Sequence, residues 1–216
     1  MIKAVLWDFG GVITSSPFEA FNRYEAERGM PRDFIRSVNA TNPDSNAWAQ
    51  LESNQVSLAE FDTLFAEETA AAGHRIPGTD VLQLLSGDVR PEMVRALERV
   101  KQDYKIACLT NNVKDVGEGP GMAMDEAKVA QITDIMELFD FVIESSVVGF
   151  RKPDPRMYEA ACTQAGIEPA EAVFLDDLGI NLKPARAMGM TTIKVLSADQ
   201  ALVDLGEVLG IDLRAA

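Results

Sequence analysis

At 216 residues, 47% hydrophobic and 25% charged, the chain has room for a sizeable apolar core, in one domain of ordinary size or a domain with a smaller insert. Disorder is excluded, as are fibrous and low-complexity classes, because its 15 Gly and 10 Pro are dispersed. Thirty-four acidic against 20 basic side chains give a formal charge of −14, which repels phosphate backbones and anionic bilayers, so neither nucleic acid nor a membrane is an expected partner.

The first apolar run, Ala4-Val5-Leu6-Trp7, is cut short by Asp8, and nowhere does an apolar stretch approach the roughly 18–20 residues of a spanning helix. A cytoplasmic location is expected. After the run, Phe18, Phe21, Tyr24 and Glu25 fall near one helical face, and Pro43, Asp44, Ser45 and Asn46 mark a loop. Ser57-Leu58-Ala59-Glu60 is a capping-box pattern leading into Phe61, Leu64 and Phe65. Pro91 opens a helix carrying Val94, Leu97, Val100 and Tyr104. Ile106 to Leu109 is the second strand-like run, Gly117 to Gly121 a loop, and Phe141-Val142-Ile143 the third run. Met157, Ala161, Cys162 and Ala165 line a helix that Gly166 closes. Ala172 to Leu175, a helix from Ala185 to Met188 stopped by Gly189, and Thr192 to Val195 complete the series.

Continuous apolar strands alternating with helices predict an α/β fold, a doubly wound parallel sheet of Rossmann-like type. Roughly 90 residues separate the first strand from the second, far more than a crossover needs. The expected division is therefore a core of residues 1–15 and 88–216 with a small helical cap, residues 16–87, inserted after the first strand.

Ligands of open α/β sheets gather outside the carboxyl ends of the strands. The first run ends in Asp8-Phe9-Gly10-Gly11, the second in Thr110-Asn111-Asn112, and the fourth in Asp176-Asp177, while Arg151-Lys152-Pro153 follows the third by several residues. Singly, each has a plainer reading: Asp8 as a cap, Gly10-Gly11 as a tight turn, Lys152 as a solvated lysine. Together and in order they assemble a nucleophile candidate, small donors, a cation and a carboxylate pair. Carboxylates crowded at one sheet edge repel unless a cation shares the site, and oxygen donors without His or Cys select a hard ion, with Mg²⁺ the leading choice. Neither Cys108 nor Cys162 sits in a ligand or redox pattern, so zinc and redox chemistry are not expected. Asp8 can then attack phosphorus to give an aspartyl-phosphate, with Thr110 and Asn111 holding the transferring oxygens and Lys152 neutralising developing charge. Gly10, Gly11 and Asn112 are expected against the substrate. His74, the only histidine, lies beside Gly73 in an expected loop, which argues against a Ser-His or Cys-His hydrolase.

These residues resemble the four motifs of the haloacid dehalogenase superfamily of hydrolases, in order: Trp7-Asp8-Phe9-Gly10-Gly11-Val12, Leu109-Thr110-Asn111, Lys152 within Gly149-Phe150-Arg151-Lys152-Pro153-Asp154, and Phe174-Leu175-Asp176-Asp177. The insert is similar to that superfamily's first class of helical cap. Phe174 to Met190, with Asn181-Leu182-Lys183-Pro184-Ala185-Arg186, resembles the phosphatase domain at the amino end of soluble epoxide hydrolases. The resemblance implies a magnesium-dependent phosphatase acting on a small phosphorylated metabolite. In it Asp8 is nucleophile and metal ligand, the Gly10 carbonyl and Asp177 are further ligands, and Asp176 is a ligand or holds metal-bound water. Thr110, Asn111 and Lys152 grip the phosphoryl group under the cap.

One position departs from the pattern. Phosphatases of the superfamily usually carry a second Asp two residues after the nucleophile, as general acid and base; here that residue is Gly10. Such help is typically worth ~10²–10⁴ in rate. Either the ester has a leaving group that departs unaided, as in sugar-1-phosphates or acyl phosphates, or a cap residue or water supplies the proton. The same absence fits a metal-independent 2-haloacid dehalogenase, although Asp176-Asp177 would then gain nothing, and it fits a catalytically weak binding protein. Phosphonate cleavage would need a cap lysine, and residues 16–87 contain none. Monomer and homodimer are both compatible with the sequence.

Overall fold

Strand β1 (Ala4–Trp7) is central: four consecutive buried apolar residues pair in parallel with β2 (Lys105–Thr110) on one side and β4 (Ala172–Asp176) on the other. β3 (Phe141–Glu144) extends the sheet beyond β2 and β5 (Thr191–Lys194) beyond β4, giving the order β3-β2-β1-β4-β5. This computed structural model describes residues 1–85, 87–112 and 126–214. The predicted loop at Gly117 to Gly121 lies outside the described residues. All five predicted runs are strands, and the fold is the expected doubly wound α/β sheet.

The runs are continuously apolar because both faces are covered. Val5, Trp7, Ile106, Cys108, Val173 and Leu175 point to one side, where they pack on α6 (Pro91–Val100), α7 (Glu126–Met136) and α11 (Ala198–Leu209). Leu6, Ala107, Leu109 and Phe174 alternate to the other, against α9 (Pro155–Ala165) and α10 (Gly179–Ala187). Each fully buried Leu, Ile, Val or Phe contributes about 1.5–3 kcal/mol. α9 ends as predicted at Gly166, whose φ of 67° is left-handed. α10 begins six residues before its predicted start, with Pro184 inside it. The carbonyl that Pro184 leaves without an amide partner belongs to Ile180, which is exposed, so water can satisfy it.

Between β1 and α6 run α1 (Pro17–Glu27), α2 (Phe34–Ala40), α3 (Ala47–Glu52), α4 (Leu58–Ala71) and α5 (Gly78–Gln83). They bury an apolar cluster of their own that includes Phe21, Ile35, Leu51, Phe61, Phe65, Ile76 and Val81. The Ser57–Glu60 capping box opens α4 as read. The segments entering and leaving these helices pair side by side: Thr14 bridges Val89, Ser15 N–H donates to the Asp88 carbonyl at 2.8 Å, and Arg90 N–H to the Ile13 carbonyl at 2.9 Å. This puts the base of the insert directly beside the turn that follows β1. No described helix is long and apolar enough to cross a membrane.

Candidate active site

Parallel pairing fixes where the strand ends fall. Trp7 is in register with Cys108 and with Leu175, so Asp8, the end of β2 and Asp176 emerge along one edge. At Asp8 the chain leaves the sheet in a tight turn, with the amides of Ile13 and Thr14 both donating to the Phe9 carbonyl. Arg90 Nη1 donates to the Gly11 carbonyl at 2.9 Å, bracing the turn from the second linker. Gly11 has φ +77°, and a Cβ there would fall 2.2 Å from Asp177 Oδ2. Gly10 faces open space, with nothing within 4 Å of an added Cβ.

Lys152 is the centre of the polar cluster. Its Nζ lies 2.7 Å from Asp8 Oδ1 and 2.9 Å from Asp176 Oδ2, and its side chain is 1% exposed. The backbone of the lysine is held by Asn111, whose Oδ1 accepts from Lys152 N–H at 2.8 Å while Nδ2 donates to the Lys152 carbonyl at 3.0 Å. The Lys152-Pro153 peptide is cis. Asp8 Oδ1 also accepts from Phe9 N–H at 2.7 Å. Asp176 has both oxygens engaged: Oδ1 accepts from Leu178 N–H and Asn181 Nδ2, and Oδ2 from Lys152 and Asn181 Nδ2. Asn181 is in turn fixed by Tyr158, whose hydroxyl donates to its carbonyl at 2.6 Å. Asp177 accepts from Ser16 Oγ at 3.2 Å.

Electrostatics follow from this crowding. Burial raises the Asp8 carboxyl well above the usual carboxylate value, and Lys152 only partly offsets it. Burial, then Asp176, pushes Asp177 up to about 6. Burial opposes the charge on Lys152, but Asp176 and Asp8 outweigh it and hold the ammonium above its ordinary value. One lysine thus faces three carboxylates, and an oxygen from each of Asp8, Asp176 and Asp177 lies within 4.8 Å of the others. A donor set of carboxylate oxygens carrying excess negative charge fits a hard divalent cation, Mg²⁺ among them.

The structure therefore brings Asp8, Gly11, Lys152, Asp176 and Asp177 together, with Gly10 in the turn between Asp8 and Gly11 and Thr110 buried at the end of β2. The side chains of Asn111 and Asn112 are both engaged by neighbouring backbone or side chains, which leaves the Asn111 backbone N–H as the group able to face a transferring oxygen. The Asn111 amide is spent on the Lys152 backbone. Asn112, expected against the substrate, instead ties β2 to α8 (Ser145–Val148): its Nδ2 donates to Glu144 Oε1 at 2.5 Å and its Oδ1 accepts from Ser146 N–H and Oγ. Strand pairing explains this, since Thr110 lies opposite Glu144 and the next residues meet the start of α8. Sequence reasoning assigned no role to Ser16, Asn181 or the Arg151–Glu52 pair. Asn181 carried a usable signal, being five residues past Asp176 and in the first turn of a helix; Ser16 and Glu52 carried none.

A family model described as haloacid dehalogenase-like hydrolase matches residues 2–189. The chain is 30% identical over 221 residues to bifunctional epoxide hydrolase 2 of Mus musculus, covering 97% of this chain and 39% of that protein, so it spans about two fifths of that relative. It is 28% identical over 202 residues to phosphatase MT3486 of Mycobacterium tuberculosis, covering 88% of this chain and 85% of that one. Its fold is shared with the HAD family enzyme bt-2542 of Bacteroides thetaiotaomicron, solved in complex with magnesium and inorganic phosphate, with a TM-score of 0.56, 20% identity, and coverage of 90% and 94% of the two chains.

Proposed function

Because the chain belongs to the haloacid dehalogenase-like hydrolases, we propose that it is a magnesium-dependent phosphatase that moves the phosphoryl group of a small phosphate monoester to Asp8 and then to water. The observation that carries this reading is the meeting of three carboxylates at one sheet edge with Lys152 bridging two of them. The similarity to phosphatase MT3486, aligned over most of both chains, supports the same choice. A metal-independent dehalogenase would have to hold three carboxylates against the single ammonium of Lys152 beside a carboxylate substrate.

Asp8 and Asp177, with the Gly10 carbonyl, would hold the ion. Asp176, with both oxygens already bonded, serves mainly to orient Lys152. When bound, magnesium would supply the positive charge that keeps Asp8 and Asp177 ionised and receives phosphate oxygens. Lys152 and Phe9 N–H hold Oδ1 of Asp8, which leaves Oδ2 as the attacking oxygen. A bond forms from Oδ2 to phosphorus as the ester oxygen departs with its electron pair, and water later attacks phosphorus to free Asp8 and phosphate. Lys152 and Thr110 meet the charge on the transferring oxygens. With Gly10 in place of an acid, the leaving oxygen takes its proton from water or departs as an already stable anion, as sugar-1-phosphates or acyl phosphates allow. Helices α1–α5 act as the cap that excludes bulk water. A cytoplasmic setting and a monomer or homodimer complete the proposal.

The test is phosphate release from an aryl phosphate, with magnesium and with chelator, by wild type and by Asp8→Asn. Release that needs both magnesium and Asp8 is expected; chelator-resistant release, or chloride release from a 2-haloacid, would reject the reading.

A further inference from the structure

Glu52 is the last residue of α3, in the inserted helices, and Arg151 immediately precedes Lys152. Although 99 positions apart, they form an ion pair: Arg151 Nη1 donates to Glu52 Oε2 at 2.7 Å, and Nη2 donates to the Pro43 carbonyl. Their side chains are only 19% and 11% exposed. Burial raises the Glu52 carboxyl, with Arg151 and the Trp48 indole pulling it back, and Lys152 also lies near enough to act on it. The peptide that carries Lys152 is thus gripped from the core by Asn111 and from the insert by Glu52 through Arg151. A pair this sheltered leaves an uncompensated charge if either member is removed. A displacement of about 1 Å at a reacting group can cost ~10²-fold in rate.

We infer that Glu52 is a positioning residue: by holding Arg151 it seats the peptide of Lys152, so the lysine is correctly placed only when α3 is docked on the core. This rests on the phosphatase reading above. Arg151 and Glu52 touch neither Asp8 nor the carboxylate cluster in the contacts observed, so beyond the direct charge attraction between Glu52 and Lys152 the effect passes through the backbone of Lys152.

The experiment measures kcat and KM for an aryl phosphate with magnesium, for wild type, Glu52→Gln, Arg151→Ala and the double variant, with a melting curve for each. Each single substitution is expected to lower kcat ~10-fold with KM nearly unchanged, because the lost placement matters most in the transition state. The double variant is expected to be no slower than Arg151→Ala. Millimolar guanidinium ion, taking the place of the missing side chain, is expected to restore Arg151→Ala but not the double variant. Single variants with wild-type kcat, losses that multiply in the double, or a lowered melting temperature with kcat intact would overturn the inference while leaving the phosphatase reading standing. Absence of turnover by wild type itself would reject that reading, and this inference with it.

Discussion

Gly11 and Asp177 occupy adjoining space so tightly that a Cβ on the glycine would lie 2.2 Å from Oδ2 and 2.4 Å from Cγ of the aspartate. The glycine is also left-handed, at φ +77°. Gly11→Ala therefore meets both a collision and backbone strain of about 1–3 kcal/mol. The expected result is a lower melting temperature and a magnesium affinity reduced by at least an order of magnitude, read by titration calorimetry. Unchanged affinity would mean that Asp177 is not a ligand.

Gly10 offers the opposite situation, since a side chain there has open space. Gly10→Asp is expected to fold normally and to speed hydrolysis of alkyl phosphates, whose leaving groups need a proton, toward the ~10²-fold lower end of general acid help. Aryl phosphates should gain little. For wild type, plotting log kcat against leaving-group pKa should give a steep negative slope, and a flat line would contradict an absent acid.

Lys152 compensates two buried carboxylates, so Lys152→Met leaves both without their cation. Breaking a buried pair from one side costs about 3–5 kcal/mol. Denaturant unfolding in chelator should show a loss of that order, partly recovered with magnesium, and phosphate release should fall below detection. Retained turnover would remove the lysine from the chemistry.

The Asp177 carboxyl is raised from 3.8 to about 6, first by burial and then by Asp176. A carboxyl that binds its proton more tightly in the folded chain than in the unfolded one adds stability below its unfolded value, and this gain is lost as pH rises through about 6. In chelator, wild type should therefore lose melting temperature relative to Asp177→Asn between pH 4 and 6. Magnesium, which prefers the ionised carboxylate, should shrink the difference. Parallel profiles for the two proteins in chelator would contradict the shift.

The sheet was legible because burial on both faces leaves continuous apolar runs that end where Asp8 and Asp176 begin. The same logic placed Lys152 at the site though nothing in its immediate neighbours shows that it is buried. Asn111 and Asn112 are chemically identical in the sequence and part company only through strand pairing, one clamping the lysine loop and the other α8. The start of α10 was hidden by Pro184, whose disfavoured position is tolerated because Ile180 is exposed. Glu52 was invisible because its partner is distant in sequence and α3 spans only six residues, too few for a periodic pattern.

The most direct measurement of the central claim is acid-quenched transfer of radiolabelled phosphate from substrate to protein in the presence of magnesium. Wild type is predicted to retain label that hydroxylamine removes, as an acyl phosphate requires, and Asp8→Asn is predicted to retain none. Turnover by wild type without trapped label, or equal labelling of Asp8→Asn, would contradict Asp8 as the nucleophile.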